Sequence, residues 1–251
     1  MSDMSNMQYY IPSDKVLQAA MEHAAADLPR ESCGLVVVFG GKDKYIPCHN
    51  IAETAESHFI LDPLDLFGAE KQGDIVAVVH SHPDSQPIAT MADKVSCEEW
   101  GYAWLIVNPR TLQHSMYYPE GYVAPLIGRQ FCFGVLDCYT LVRDYYAETF
   151  DIHLRDYHRD EKFWEKGQQL YLDNFAKEGF VAVDDPNDLQ VGDLLFMTLN
   201  NIAVANHAAI VLDGNMILHH PMNRISGKDI YGGYWKKITV KHVRHFSMIR
   251  K

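Results

Sequence analysis

Asp74-Ile75-Val76-Ala77-Val78-Val79-His80-Ser81-His82-Pro83 is the stretch on which the reading of the first half turns. Its apolar run, rich in valine, reads as a buried strand. The two histidines then stand where that strand ends, and Asp93 follows about ten positions on. Zinc prefers imidazole nitrogens and carboxylate oxygens, and a catalytic site keeps three protein ligands with a fourth position for water. His80, His82 and Asp93 supply three such donors. That water needs a base to take its proton, and Glu31, in Pro29-Arg30-Glu31-Ser32-Cys33-Gly34, is the candidate.

Around this stretch, 251 residues with 47% hydrophobic content allow one large or two ordinary packed domains and argue against wholesale disorder. Charge is uneven. Residues 1–120 carry 7 Lys and Arg against 17 Asp and Glu, a net of −10; residues 121–251 carry 15 against 16, a net of −1. The asymmetry suggests two units, and an acidic first half disfavours nucleic acid as a partner. Five cysteines argue against a disulfide framework and leave room for a reactive thiol. No apolar run is long enough to span a bilayer, and the polar start, Met1 to Asn6, lacks a secretory pattern, so synthesis in a cytosol without the usual secretory export is expected.

The periodicity predicts a helix over 15–26, stopped at Leu28-Pro29. It predicts a strand over 34–39 turning at Gly40-Gly41, further strands over 45–47 and 57–61, and a helix over 63–72. After the strand over 75–79 come a helix over 90–99 and a strand over 103–107. The patternless stretch 121–127 marks the boundary between domains 1–120 and 121–251. Beyond it, helices are expected over 138–149 and 160–178, the latter offering Trp164, Leu170 and Phe175 to the core. Strands are expected over 193–198, 207–212 and 216–219, the last two joined at Asp213-Gly214. The fold class is α+β: a mixed α/β domain followed by one with helices first and then a strand meander.

In the second half, Asp137 caps the helix that Cys138 opens. A helix N-terminus favours thiolate and is expected to lower the thiol pKa. A thiol peptidase also needs a histidine base and a group to orient it. His207 begins one apolar strand and His219 ends the next, so the hairpin can bring them together. His219 and His220 alternate faces, so only one of them can point at His207. His23, His49, His58 and His114 have no ligand spacing and are read as surface or core, His153, His158, His242 and His245 as solvated polar positions, and Cys33, Cys97 and Cys132 as core.

These motifs resemble known families. His80-Ser81-His82-Pro83 through Thr90 and Asp93, with Pro29-Arg30-Glu31-Ser32-Cys33-Gly34 upstream and His58 to Pro63 between, resembles the JAMM metalloproteases over residues 8–118. The resemblance implies a zinc-dependent peptidase or isopeptidase with His80, His82 and Asp93 on the metal and Glu31 as general acid/base. Thr90 stands where the family has the serine that helps stabilise the oxyanion; it keeps the hydroxyl and adds a methyl. Asp137-Cys138, Gly192-Asp193-Leu194, the His207 strand and Ile217-Leu218-His219 resemble the NlpC-type cysteine peptidases over residues 125–251. That resemblance implies a papain-like fold that cuts wall stem peptides, with Cys138 as nucleophile, His207 as base and His219 orienting it. The pairing, and above all Gly128-Arg129-Gln130-Phe131 through Asp144-Tyr145-Tyr146, resembles the tail assembly K family of lambda-like bacteriophages. It implies a tail-tip place, assembly in the host cytoplasm, and other tail-tip proteins and bacterial peptidoglycan as partners. The alternative is an assembly factor whose zinc half binds or processes another tail protein with little wall lysis.

Overall fold

Gly40 and Gly41 both carry positive φ, +58° and +73°. Positive φ at both positions lets two residues close a hairpin with the twist of its strands. They join β1 (Cys33–Phe39) to β2 (Lys42–Cys48) in the computed structural model, which describes residues 9–249. The chain divides between Val123 and Ala124 into two compact units.

In the first unit β3 (Asp74–Ser81), β4 (Ala103–Asn108) and β5 (Gln113–Tyr117) complete a five-stranded sheet ordered β2-β1-β3-β4-β5. Only β3 and β4 run parallel, joined by α3 (Met91–Trp100), which follows α1 (Asp14–Asp27) and α2 (Pro63–Glu70) along the chain. Side chains on a strand alternate between faces. Val36, Ala77, Val79 and Leu105 therefore pack with Val16, Ala20 and Ala24 of α1. Leu35, Val37 and Val78 pack on the other face with Ala69 of α2 and Cys97 of α3. His80 shares the face of Val78, beneath α3. The strand expected over 57–61 does not form. Buried Asn50 explains this: its Oδ1 accepts from the Ala52 and Ile60 amides, and its Nδ2 donates to the Glu31 and His58 carbonyls. These bonds hold the segment as a loop with one bridge, Asn50 to Leu61.

The second unit is a six-stranded antiparallel sheet ordered β10-β9-β8-β7-β11-β6. The strands are β6 (Phe180–Ala182), β7 (Leu194–Met197), β8 (His207–Leu212), β9 (Met216–His219), β10 (Gly227–Ile230) and β11 (Thr239–His245). The helix α4 (Cys138–Phe150) lays Leu141, Val142, Tyr145 and Tyr146 against Ala208, Ile210 and Leu218. On the opposite face Leu195, Ala209, Val211 and Ile217 pack with Tyr231 and with Trp235 and Ile238 of α6 (Gly233–Ile238).

The helix expected over 160–178 shrinks to α5 (Leu170–Asn174) and a 3-10 turn, Phe175–Glu178. Lys162 and Gly167 take positive φ, which no continuous helix permits. Phe163 and Tyr171 are its buried core residues, while Trp164, Leu170 and Phe175 pack at the margin.

Two buried ion clusters explain sequence motifs. Arg129, fully buried, pairs with Asp144 of α4 and donates to the Pro125 and Ala124 carbonyls, pinning the unit's entry to its helix. Asp193 accepts from His242 Nε2 at 2.7 Å, Arg244 Nε at 2.7 Å and the Gln190 amide at 2.9 Å. His242 and His245 are therefore buried, His245 bonding Ser247, and are not solvated positions as their polar neighbours implied. Before Asp193, Gly192 sits at φ +91°, where a Cβ would meet Phe150 at 2.7 Å. All five cysteines are free, and among the described residues no helix is long and apolar enough to cross a membrane.

Candidate active sites

In the first unit His80 lies in the last turnless residues of β3 and His82 just beyond its end, on the same face. The His82 amide still donates to the Val107 carbonyl, at 2.9 Å, so neighbouring strands hold both histidines. Asp93 comes from the first turn of α3, which Thr90 caps. The three ligand atoms converge: His80 Nε2 lies 2.9 Å from His82 Nε2 and 3.2 Å from Asp93 Oδ1, and His82 Nε2 lies 3.4 Å from Asp93 Oδ2. A tetrahedron with bonds of about 2.0–2.1 Å has edges of about 3.3 Å, so this donor set fits zinc in size and chemistry. His82 Nδ1 meets the Gln86 carbonyl at 3.1 Å, which fixes the ring with Nε2 facing the site. Phe59 stacks on His80 at 4.9 Å between centroids, so the Asn50-held loop walls this site.

Glu31 precedes β1. Because Cys33 pairs with His80 in antiparallel register, Glu31 lies toward His82. Burial raises its pKa; the nearby His80 and His82 oppose that, and Asp93 adds to it. A carboxyl whose pKa is raised by burial holds a proton more tightly than a solvated one, which suits it to take and return one. Thr90 Oγ1 donates to Asp93 Oδ2 at 2.8 Å and accepts from the Asp93 amide, a capping box. Its hydroxyl proton is thus directed to the ligand carboxylate. A second trio, His49, Asp62 and Asp65, also gathers donor atoms, at more exposed positions. There His49 Nδ1 bonds Asp65 and Asp62 caps α2.

In the second unit Asp137 caps α4: Oδ1 accepts from the Tyr139 and Thr140 amides and Oδ2 from the Gly134 amide. Arg159, also buried, donates to the same Oδ2 at 3.0 Å. The cap, its loop and Arg159 lock the backbone that presents Cys138. The thiol meets Tyr171 Oη at 3.2 Å and bonds the Ala208 amide, the peptide group that joins Ala208 to His207. The lowered thiol pKa expected from the helix N-terminus is not found. Burial pushes Cys138 up to about 11, Asp137 adds to that, and Tyr171 and the Ala208 amide only partly offset it.

His207 and His219 are brought together. Ala209 pairs with His219, so His207 sits two residues along β8 on the same face, and His207 Nε2 lies 3.0 Å from His219 Nδ1. His219 is therefore the partner. His220 points to the opposite face, against Phe131. Nε2 of His207 is thus committed to His219, which leaves Nδ1 as its other ring nitrogen. Burial holds His207 well below its ordinary pKa and lowers His219 and His220 too. The resting pair is thus neutral thiol and neutral imidazole.

These shifts make a stability prediction. Below about pH 6.5 the unfolded chain takes up protons that the buried histidines refuse, so stability falls with pH. The thermal midpoint of the second unit is expected to drop between pH 7 and pH 5, and His207→Ala flattens that slope. An unchanged slope in the variant contradicts the assignment.

Sequence reasoning missed Tyr171, Arg159 and Asp229. Tyr171 lies in the irregular stretch read as one helix, Arg159 just before it, and Asp229 on β10, whose short alternation gave no strand signal.

The NlpC/P60 family model matches residues 128–244, and that for prokaryotic homologs of the JAB domain matches residues 13–117. Tail tip assembly protein K of Escherichia phage N15 is 40% identical over 241 residues, covering 92% of this chain and 94% of its own. The protein of the same name from Escherichia phage lambda is 37% identical over 185 residues, 74% of this chain and 89% of its own. Desampylase of Haloferax volcanii is 35% identical over 106 residues, 38% of this chain and 75% of its own. The first unit is thus JAB-like and the second of NlpC/P60 type, and the chain belongs to the family of the tail tip assembly protein K of lambda-like phages.

Proposed function

We propose that the second unit hydrolyses stem-peptide bonds of bacterial peptidoglycan through Cys138, at the tail tip of a phage. The observation that carries this reading is the placement of the Cys138 thiol on the peptide group that joins His207 to Ala208, with His207 backed by His219. His207 Nδ1 takes the thiol proton as sulfur attacks the scissile carbonyl. That proton passes to the leaving amine, giving a thioester on Cys138. Water, deprotonated by the same nitrogen, then cleaves the thioester, releases the acid and restores the thiol. Since both groups rest neutral, proton transfer accompanies attack. The test is digestion of purified peptidoglycan with products identified by mass. New peptide termini on an intact glycan are expected; cleaved glycan or no release contradicts the reading.

For the first unit the fit of His80, His82 and Asp93 supports zinc, and the likeness to a desampylase supports a peptidase or isopeptidase reaction. When bound, zinc would polarise a scissile carbonyl and acidify its water. Glu31 would hold and hand on the proton, and Asp93, steadied by Thr90, would stay ionised. One observation favours the second reading, a module that binds or processes another tail protein with little turnover. The Thr90 hydroxyl donates to Asp93 rather than toward an open site where an oxyanion could form.

A further inference from the structure

Asp229 completes a diagonal row across three strands. His207 on β8, His219 on β9 and Asp229 on β10 are each offset by two residues in register, because Ala209 and Gly227 both pair with His219. His219 Nε2 lies 3.1 Å from Asp229 Oδ2, and Arg224 Nη1 lies 3.3 Å from the same oxygen. Trp235 stands edge-on to His219 at 4.4 Å between centroids, and near His207 at 6.3 Å, closing this face. The charged and titratable groups around His219 are thus His207, Asp229 and Arg224, with His220 turned to the other face.

An ionised carboxylate only accepts, so the proton on His219 must sit on Nε2. The lone pair of His219 then lies on Nδ1, facing His207 Nε2, which must be the donor. His207 in turn keeps its lone pair on Nδ1, the nitrogen that proton transfer from Cys138 requires. We propose that Asp229 is a positioning residue that sets both histidine tautomers and so leaves the lone pair of His207 on Nδ1. The kinetic part rests on the cysteine-peptidase reading above; the tautomer part does not. Asp229 acts through His219 and touches no reacting atom. Burial keeps both rings neutral, and the Asp229 carboxylate favours the charged form of His219.

The test compares the full chain with Asp229→Asn and Asp229→Ala, each labelled with nitrogen-15 at histidine. Long-range proton–nitrogen spectra of the resting protein read the ring tautomers directly. The wild type is expected to show His219 and His207 both protonated at Nε2, and Asp229→Ala to move His219 toward the Nδ1 form. In stem-peptide hydrolysis, kcat is expected to fall about 10–100-fold in both variants, the range for losing a group that orients a working histidine, with KM within about twofold. The acid limb of kcat should move to lower pH, because a charge that favours imidazolium is gone. A purely structural role would lower the thermal midpoint and leave tautomers and acid limb in place, and that result overturns the proposal. If the wild type hydrolyses nothing, the reading of function fails while the tautomers still decide the role of Asp229.

Discussion

Cys138→Ala is expected to abolish release of stem peptides, a loss of about 10⁴-fold or more, because removing the nucleophile of a coupled set costs nearly as much as removing the set. The fold should survive. Asp137 caps α4 through its own side chain and Arg159, and neither bond involves the thiol. Losing the sulfur leaves a small gap beside Tyr171 and Ala208, worth about 1 kcal/mol, the cost of a vanished methyl-sized group. An inactive variant with a near-wild-type thermal midpoint is the expected pair of results. Serine in place of Cys138 should be almost as inactive, since His207 held neutral by burial cannot readily ionise a hydroxyl. Retained lysis in Cys138→Ala would place the nucleophile elsewhere.

The second large effect concerns the first unit. Asp93→Ala removes one of three donors and also the acceptor of the Thr90 hydroxyl and amide. Zinc content is expected to fall from about one per chain to near zero. Affinity should drop more than about 100-fold, beyond the upper end of what losing a residue that merely orients a ligand costs. Wild-type chain at zinc a hundredfold above its Kd gains about 2.7 kcal/mol, which raises the thermal midpoint of a unit this size by about 10 °C. That rise should be absent in Asp93→Ala. A variant that still binds zinc and still gains the rise would show that the ligands lie elsewhere.

The separate legibility of the two sites has a physical cause. In the first unit the candidate ligands sit on strong local signals: a valine-rich run for β3 and the Thr90 capping pattern for α3. Sequence spacing therefore translates directly into space. In the second, Cys138 and its cap were legible as a helix start, and the His207 and His219 strands by their apolar runs and the turn between them. Sequence alone left His219 and His220 equivalent, because alternation says that one faces His207 but not which. The pairing of Ala209 with His219 decides it. Tyr171 was hidden in a stretch whose apolar spacing imitated one helix while Gly167 broke it. The expectation of a lowered thiol pKa weighed the helix end and could not weigh burial, which depends on the whole packed unit. Ser57 to Leu61 looked like a strand because its residues favour one; the four bonds of Asn50 prevail over that preference.

The central claim, that Cys138 is the nucleophile of a wall-peptide hydrolase, is tested most directly by trapping the acyl-enzyme. The full chain is mixed with a stem peptide, quenched in acid within the first turnover, and digested for tandem mass spectrometry. The account predicts the acyl fragment of the stem peptide in thioester linkage on Cys138, and none on Cys132. Hydrolysis that proceeds with no adduct on Cys138, or with the adduct on another residue, would contradict it.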